Sequence, residues 1–141
     1  MNESGDEDAP DLYARAVFFV ENAERSRRFY ADQLGFSEDW AHEEEGTVNV
    51  CQVSLFGFQL ILNQAWGETK DHAGHGRVFI GLEDHQIEPV LTHIAQHGIA
   101  TERRDWGQPT LVVKDLDGNE LFFWDWPAKA QQDVETSPST Q

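Results

Sequence analysis

Apolar and polar residues alternate along this chain in an order that occurs twice. Residues 13–20 form an apolar stretch, Asn22 can cap a helix, and residues 25–33 continue that helix with apolar side chains at helical spacing before Gly35. Residues 77–82 begin the same order again, followed by a helical pattern over residues 86–97. A period of two indicates a strand and a period of 3.6 a helix, so each copy begins as a strand followed by a helix.

Three further strands complete each copy. They are predicted over residues 36–42, 48–55 and 58–62 in the first copy, and over residues 101–105, 110–114 and 120–126 in the second. Gly57 and Gly118 mark the last hairpin of each copy and lie 61 residues apart. The sequence therefore predicts an α+β fold of two βαβββ units, each with a curved mixed sheet whose inner face lines a cleft.

The predicted boundaries follow this duplication. They are a disordered acidic tail over 1–11, a first half over 12–63, a linker loop over 64–76, a second half over 77–127 and a disordered tail over 128–141. Neither tail has enough large apolar side chains to offset the entropy lost on ordering.

Composition excludes some functions. The 141 residues include 26 acidic and 10 basic residues, a formal net charge of -16, which disfavours nucleic-acid binding because phosphate contacts need a basic surface. The charge favours a cationic ligand, and a solvated acidic surface that maintains solubility is the alternative. No apolar run is long enough to cross a membrane and the acidic start is unlike a secretion signal, so a cytoplasmic location is expected. Cys51 is the only cysteine, which excludes an internal disulfide.

The order of elements and several motifs carry a family resemblance. Residues 28–30 (Arg-Phe-Tyr) precede residues 34–36 (Leu-Gly-Phe), and residues 115–119 (Asp-Leu-Asp-Gly-Asn) form a turn near the end. With the βαβββ duplication, this resembles the vicinal oxygen chelate superfamily over about residues 13–126. That superfamily includes glyoxalase I, extradiol dioxygenases, fosfomycin resistance enzymes and bleomycin resistance proteins.

The resemblance also indicates where a metal would be bound. Enzymes of the superfamily hold a divalent metal with His and Glu side chains on the first and fourth strands of each half. The matching positions here are Arg15, Ile61, Arg77 and Phe122. Arginine is always protonated and a hydrocarbon side chain has no lone pair to donate, so we expect no metal, no cofactor and no catalytic residue of that type.

Among members without a metal, the chain looks most like the bleomycin resistance proteins. Residues 34–40 are similar to the segment in which an acidic residue and an aromatic line the drug groove, and residues 104–107 to a tryptophan–glycine loop. That family sequesters a cationic glycopeptide in clefts at a dimer interface, which implies a homodimer, a small-molecule ligand and a role in antibiotic resistance. The predicted ligand-binding residues are Asp39, Trp40, Trp66, Arg77, Trp106, Gly107 and Phe122.

Two other functions stay open. One is a metalloenzyme of the glyoxalase or dioxygenase type with an atypical site drawn from His42, Gln59, Arg77 and Glu120. The other is a plain ligand-sensing module, in which Asp39→Asn would change no binding. The ligand class also depends on two arginines: if Arg15 and Arg77 face the cleft unpaired, an anionic ligand is the better expectation, because guanidinium groups bind carboxylates in a fork.

Overall fold

Two four-stranded mixed sheets and two α-helices make up the described part of the chain. The computed structural model describes residues 13–105 and 109–124. The first half contains β1 (Ala16–Val20), α1 (Ala23–Arg28), β2 (Ser37–Glu44), β3 (Thr47–Leu55) and β4 (Phe58–Gln64). The second half contains β5 (Arg77–Gly81), α2 (Asp84–Gln96), β6 (Thr101–Asp105), β7 (Pro109–Lys114) and β8 (Glu120–Trp124).

The two sheets share one topology. The strand orders are β1-β4-β3-β2 and β5-β8-β7-β6. In each sheet the first strand of the half runs parallel to the last, and the other neighbours are antiparallel. This arrangement confirms the predicted α+β fold built from two βαβββ units.

The first helix begins as predicted but ends differently. The Asn22 side chain caps it by accepting a hydrogen bond from the Arg25 backbone N–H at 2.9 Å. After Arg28 the helix widens into a π-helical turn over Phe29–Gln33, so the regular helix predicted as far as residue 33 was wrong in its last turn. The π turn leaves Phe29 and the next residue both buried, a packing requirement that helical spacing alone does not reveal.

One hydrophobic core joins both halves. It contains the inward side chains of the two sheets and the buried faces of the two helices. Alternation along each strand leaves a second face turned away from this core: in β1, Phe18 and Val20 are buried whereas Val17 is 46% exposed. We call these second faces the open faces. The first open face carries Arg15, Val17, Trp40, Gln52, Ser54 and Ile61, and the second carries Arg77, Phe79, Arg104, Val112, Glu120 and Phe122.

The turn between β7 and β8 connects the two halves through hydrogen bonds. The Tyr30 hydroxyl, from the first half, donates to Asp115 Oδ2 at 2.8 Å, and Asp115 Oδ1 accepts from the backbone N–H groups of Asp117 and Asn119. The Asn119 amide in turn donates to the Phe19 carbonyl at 3.0 Å. Burial raises the pKa of both Tyr30 and Asp115. A buried carboxylate with this many donors is a structural centre, because each donor satisfies a lone pair that water no longer reaches.

Some predicted boundaries change. The first strand begins at Ala16 rather than at residue 13, and β4 continues to Gln64. The predicted linker loop contains a 3₁₀ helix over Gly67–His72, formed where the Trp66 backbone N–H binds the Thr69 hydroxyl oxygen. Both predicted tails, residues 1–11 and 128–141, lie outside the described residues. Among the described residues, neither helix is long and apolar enough to span a bilayer.

Candidate functional site on the open sheet faces

An irregularity in β2 brings two predicted site residues onto one face. Glu38 pairs with Val53, and Trp40 pairs with Gln52, so Asp39 is an extra residue between two regular pairs. In a regular strand, Asp39 and Trp40 would point to opposite faces. The bulge places both side chains on the first open face, because a bulged strand sets two residues against one partner.

A chain of hydrogen bonds then holds the Asp39 carboxylate. Gln52 Nε2 donates to Asp39 Oδ2 at 2.8 Å, and Ser54 Oγ donates to Asp39 Oδ1 at 3.0 Å. At its other end, the Gln52 amide accepts from Arg15 at 3.0 Å. Gln52 is 4% exposed, whereas Arg15 and Asp39 are both exposed. A buried amide thus positions one exposed cation and one exposed anion on the same face.

Apolar and aromatic side chains surround this network. Trp40 is 42% exposed beside its partner Gln52, and Val17 pairs with Ile61 across β1 and β4. Trp66 is 77% exposed at the far end of the same sheet. It lines a cavity of about 360 Å³ with Glu44, Asn49, Val50, Asn63 and Gln64. The first open face therefore combines a ring for stacking with charged groups, as ligand sites commonly do.

A second cavity adjoins the outer edge of the first open face. It has a volume of about 350 Å³ and lies between β1 and the end of the 3₁₀ helix with the residues that follow it, and Val17 and Phe19 line one side. His72 and His75 line its other side, and the His72 ring meets the Phe19 ring edge-on with centroids 5.2 Å apart. The first open face thus has one cavity at its outer edge, beside β1, and another at the end of the sheet, beside Trp66.

The second open face is organised around one carboxylate. Glu120 Oε1 accepts from Arg77 at 2.9 Å, and Glu120 Oε2 accepts from Arg104 at 3.1 Å. Both guanidinium groups lie over the Phe122 ring, at 4.8 and 5.3 Å from its centroid, and Phe122 is fully buried. Arg104 also donates to Glu102, and this hydrogen bond lowers the pKa of Glu102. Opposite charges on this face neutralise one another directly.

The donor set at the superfamily's metal positions does not fit a divalent cation. Arg15 and Arg77 are cationic, while Ile61 and Phe122 offer no donor atom. The nearest carboxylate, Glu120, accepts hydrogen bonds from two arginines. Within the described residues, no group of three or more His, Cys, Asp or Glu side chains is arranged to hold a metal. We therefore derive no metal-dependent step from these residues.

The single cysteine is not part of either open face. Cys51 lies between Val50 and Gln52 on β3 with its side chain in the core, and it is fully buried. Burial raises its pKa to about 11. Because the thiolate is the reactive form, this thiol is inert at neutral pH and serves as a packed core residue.

The predicted site residues are divided between the two sheets. Asp39, Trp40 and Trp66 belong to the first sheet and its edge, and Arg77 and Phe122 lie against each other on the second. Trp106 and Gly107 lie outside the described residues. The structure brings together Asp39 with Trp40, and Arg77 with Phe122.

Sequence reasoning missed the residues that organise each face. Gln52 and Ser54 hold Asp39 in place, and Arg104 shares Glu120 with Arg77. One signal was available: Gln52 and Ser54 occupy alternate positions of an otherwise apolar strand, so two polar side chains fall on one face.

Comparison with known proteins agrees with this geometry. A family model described as the Glyoxalase/Bleomycin resistance protein/Dioxygenase superfamily matches residues 13–123. No curated protein gave a significant match.

Several solved structures share the fold. The bleomycin-binding protein from bleomycin-producing Streptomyces verticillus, complexed with copper(II)-bleomycin, superposes with a TM-score of 0.61 at 16% identity, covering 82% of this chain and 96% of that one. A superfamily member from Sphaerobacter thermophilus gives 0.60 at 25% identity, with coverage of 79% and 95%. Lactoylglutathione lyase from Agrobacterium tumefaciens gives 0.59 at 14% identity, with coverage of 83% and 98%. With the family match over most of its length, the chain belongs to the glyoxalase/bleomycin resistance protein/dioxygenase superfamily.

Proposed function

We propose that this protein binds a small aromatic or cationic compound on its first open face and sequesters it without breaking a bond. The observation that carries the proposal is the pair formed by Asp39 and Trp40. A fixed carboxylate stands beside a half-exposed indole ring, and a cationic aromatic ligand interacts favourably with both.

The long-range electrostatics support the same ligand class. The chain carries a formal net charge of -16, which raises the local concentration of cations near its surface. On the first open face, Asp39 has no basic side chain within ion-pair distance among the described residues. Its negative charge is therefore available to a ligand.

The proposed assembly is a homodimer whose clefts are completed by the second subunit. All eight residues of the edge strand β2 are exposed, and the open faces carry apolar side chains that are almost half exposed, including Val17 and Phe79. Such surfaces favour coverage by another chain. The relative in complex with copper(II)-bleomycin supports an antibiotic of the bleomycin type as the first ligand to test. The cytoplasmic location and the domain boundaries stay predictions.

Calorimetric titration with bleomycin tests the proposal. Once light scattering has established that the wild-type protein is a dimer, it is expected to bind in the micromolar range or tighter. Asp39→Asn should weaken binding about tenfold or more, because a hydrogen bond or ion pair to a charged group contributes roughly 1.5–3 kcal/mol. Trp40→Leu should weaken binding to a similar extent through the lost ring contact.

Asp32→Asn is the matched control for Asp39→Asn. Asp32 is an exposed aspartate in the π turn that follows α1, on the helical layer rather than on the open face, so its removal should leave the affinity within about twofold. Loss of binding in both variants would indicate a general charge effect. A dimeric protein that binds neither bleomycin nor any cationic aromatic probe would refute the proposal.

Elemental analysis distinguishes the proposed binding function from the metalloenzyme alternative. Protein purified without chelators should contain less than stoichiometric Zn, Ni, Mn or Fe, because the superfamily's ligand positions hold arginines and hydrocarbon side chains. One metal ion per chain that is lost on Glu120→Gln or His42→Gln would instead favour an enzyme with an atypical site.

A further inference from the structure

The first open face presents two opposite charges that do not neutralise each other. In the described part of the chain, no carboxylate lies within ion-pair distance of Arg15, and no basic group lies within that distance of Asp39. Arg15 uses one N–H for Gln52 and one for the Tyr13 hydroxyl, at 3.0 and 2.6 Å. A guanidinium has five N–H donors, so three of them remain for another acceptor.

The Gln52 amide sets the distance between these charges. Its oxygen accepts from Arg15 and its nitrogen donates to Asp39, so a single amide group separates the guanidinium from the carboxylate. A ligand that bound both groups would need an anionic oxygen and a cationic nitrogen separated by a comparably short covalent path. The α-amino acid group has this pattern, since its carboxylate oxygen and ammonium nitrogen are separated by two carbon atoms.

We infer that the ligand of the first open face is a zwitterion of the α-amino acid type that also carries an aromatic ring. Arg15 binds its carboxylate, Asp39 binds its ammonium group, and Trp40 stacks on its ring. The inference rests on the proposed function, because it specifies the ligand of the same site. It adds an anionic group to the aromatic and cationic character already proposed.

The charge of the whole protein favours a zwitterion over a plain anion. A ligand with a net negative charge would be repelled by a chain of formal charge -16 before it reached Arg15. A zwitterion has no net charge and avoids this repulsion. A zwitterion also carries an opposite charge for Arg15 and one for Asp39, so the bound ligand leaves neither residue buried without an ionic partner.

Three probes with the same ring test the inference. L-phenylalanine carries both charges, 2-phenylethylamine carries only the ammonium group and 3-phenylpropionate carries only the carboxylate. Binding is measured by backbone amide shifts of β2 and β3 in full-length protein. L-phenylalanine should bind about tenfold tighter than either analogue, which corresponds to about 1.4 kcal/mol.

The variants assign each charge to its residue. Arg15→Gln should lower the affinity for L-phenylalanine to that of 2-phenylethylamine while leaving 2-phenylethylamine itself unchanged. Asp39→Asn should lower the affinity for L-phenylalanine to that for 3-phenylpropionate. Arg15→Lys keeps the charge and should retain part of the preference, and Arg25→Gln, on the exposed side of α1, should change neither affinity.

The outcomes separate this inference from the proposed function. If 2-phenylethylamine or bleomycin binds as tightly as L-phenylalanine, or more tightly, and Arg15→Gln changes nothing, the zwitterion inference is wrong and the binding function stands. If L-phenylalanine fails to shift amides of β2 and β3 although bleomycin binds, the inference is likewise wrong. If neither the probes nor bleomycin binds to the folded dimer, both proposals fail together.

Discussion

The two open faces occupy equivalent positions in a duplicated fold but treat charge in opposite ways. On the second face, Glu120 joins Arg77 and Arg104 directly, at 2.9 and 3.1 Å. On the first face, the neutral side chain of Gln52 stands between Arg15 and Asp39. One face satisfies its charges internally, and the other leaves both available.

The difference shows how a duplicated scaffold can specialise. Arg15 and Arg77 match in the internal repeat, one residue before β1 and at the first residue of β5. Arg77 is held by the carboxylate of Glu120, its partner across β5 and β8, whereas Arg15 donates to the neutral amide of Gln52. The side chain that faces each arginine therefore decides whether its charge is neutralised within the protein or available to a ligand.

The hairpin turns of the two halves offer the strongest test of the comparison. Asp115→Ala should lower the free energy of unfolding by about 3 kcal/mol, because the buried hydroxyl of Tyr30 and the N–H groups of the turn lose their shared acceptor. Phe56→Ala, in the equivalent turn of the first half, should cost less than about 1 kcal/mol, since Phe56 is 49% exposed. Urea unfolding measures both. Equal losses would show that the second turn does not join the halves.

Removing a carboxylate charge should destabilise the protein more on the second open face than on the first. Glu120→Gln should lower the urea midpoint clearly, because two guanidinium groups over Phe122 lose their common partner. Asp39→Asn should change the midpoint several times less, since its carboxylate accepts only from neutral donors. Matched urea titrations of the two variants provide the measurement, and an equal or larger loss for Asp39→Asn would reverse the assignment.

The first hairpin should accept a stabilising substitution. Phe56 and Gly57 form a two-residue turn with φ of +52° and +90°. An aromatic side chain is unfavourable in this left-handed region, whereas asparagine followed by glycine suits it. Phe56→Asn should raise the free energy of unfolding by roughly 0.5 kcal/mol. A loss of stability in urea unfolding would mean that Phe56 makes contacts more important than its backbone strain.

A smaller effect is expected from two carboxylates at the surface, the half-buried Glu24 and the exposed Glu102, one in each half. Hydrogen bonds from Arg27 lower the pKa of Glu24, and hydrogen bonds from Arg104 lower that of Glu102. A lowered folded-state pKa means that the stabilisation is present above the unfolded pKa and is lost as the pH falls through the folded pKa. Carbon-detected NMR titration should give both midpoints below 4.5, the ordinary value. Glu24→Gln should consequently lower stability slightly at pH 7 and not at the acidic end of the titration.

Sequence patterns predicted much of the fold because they depend on short-range periodicity. The order of strands and helices, the Asn22 cap and the β6 boundaries all follow from spacing or local hydrogen bonding. The π turn after Arg28 could not be predicted in this way. It accompanies burial of Tyr30 against Asp115, which lies 85 residues further along the chain.

The candidate site was accessible to sequence reasoning only in part. The resemblance selected Asp39 and Trp40, whereas Gln52 and Ser54 were missed although alternation along β3 puts them on a single face. The bulge that aligns all four depends on pairing between strands, and the Arg15–Gln52–Asp39 connection depends on side-chain rotamers. Neither is encoded in the periodicity of one strand.

The extra residue in β2 has an evolutionary consequence. Removing a single codon at position 39 would restore regular alternation between Glu38 and Trp40 and withdraw the carboxylate from the Gln52 side of the sheet. Ligand preference among relatives can thus change through insertions and deletions in this strand, which an alignment treats as gaps, as well as through replacement of one side chain by another.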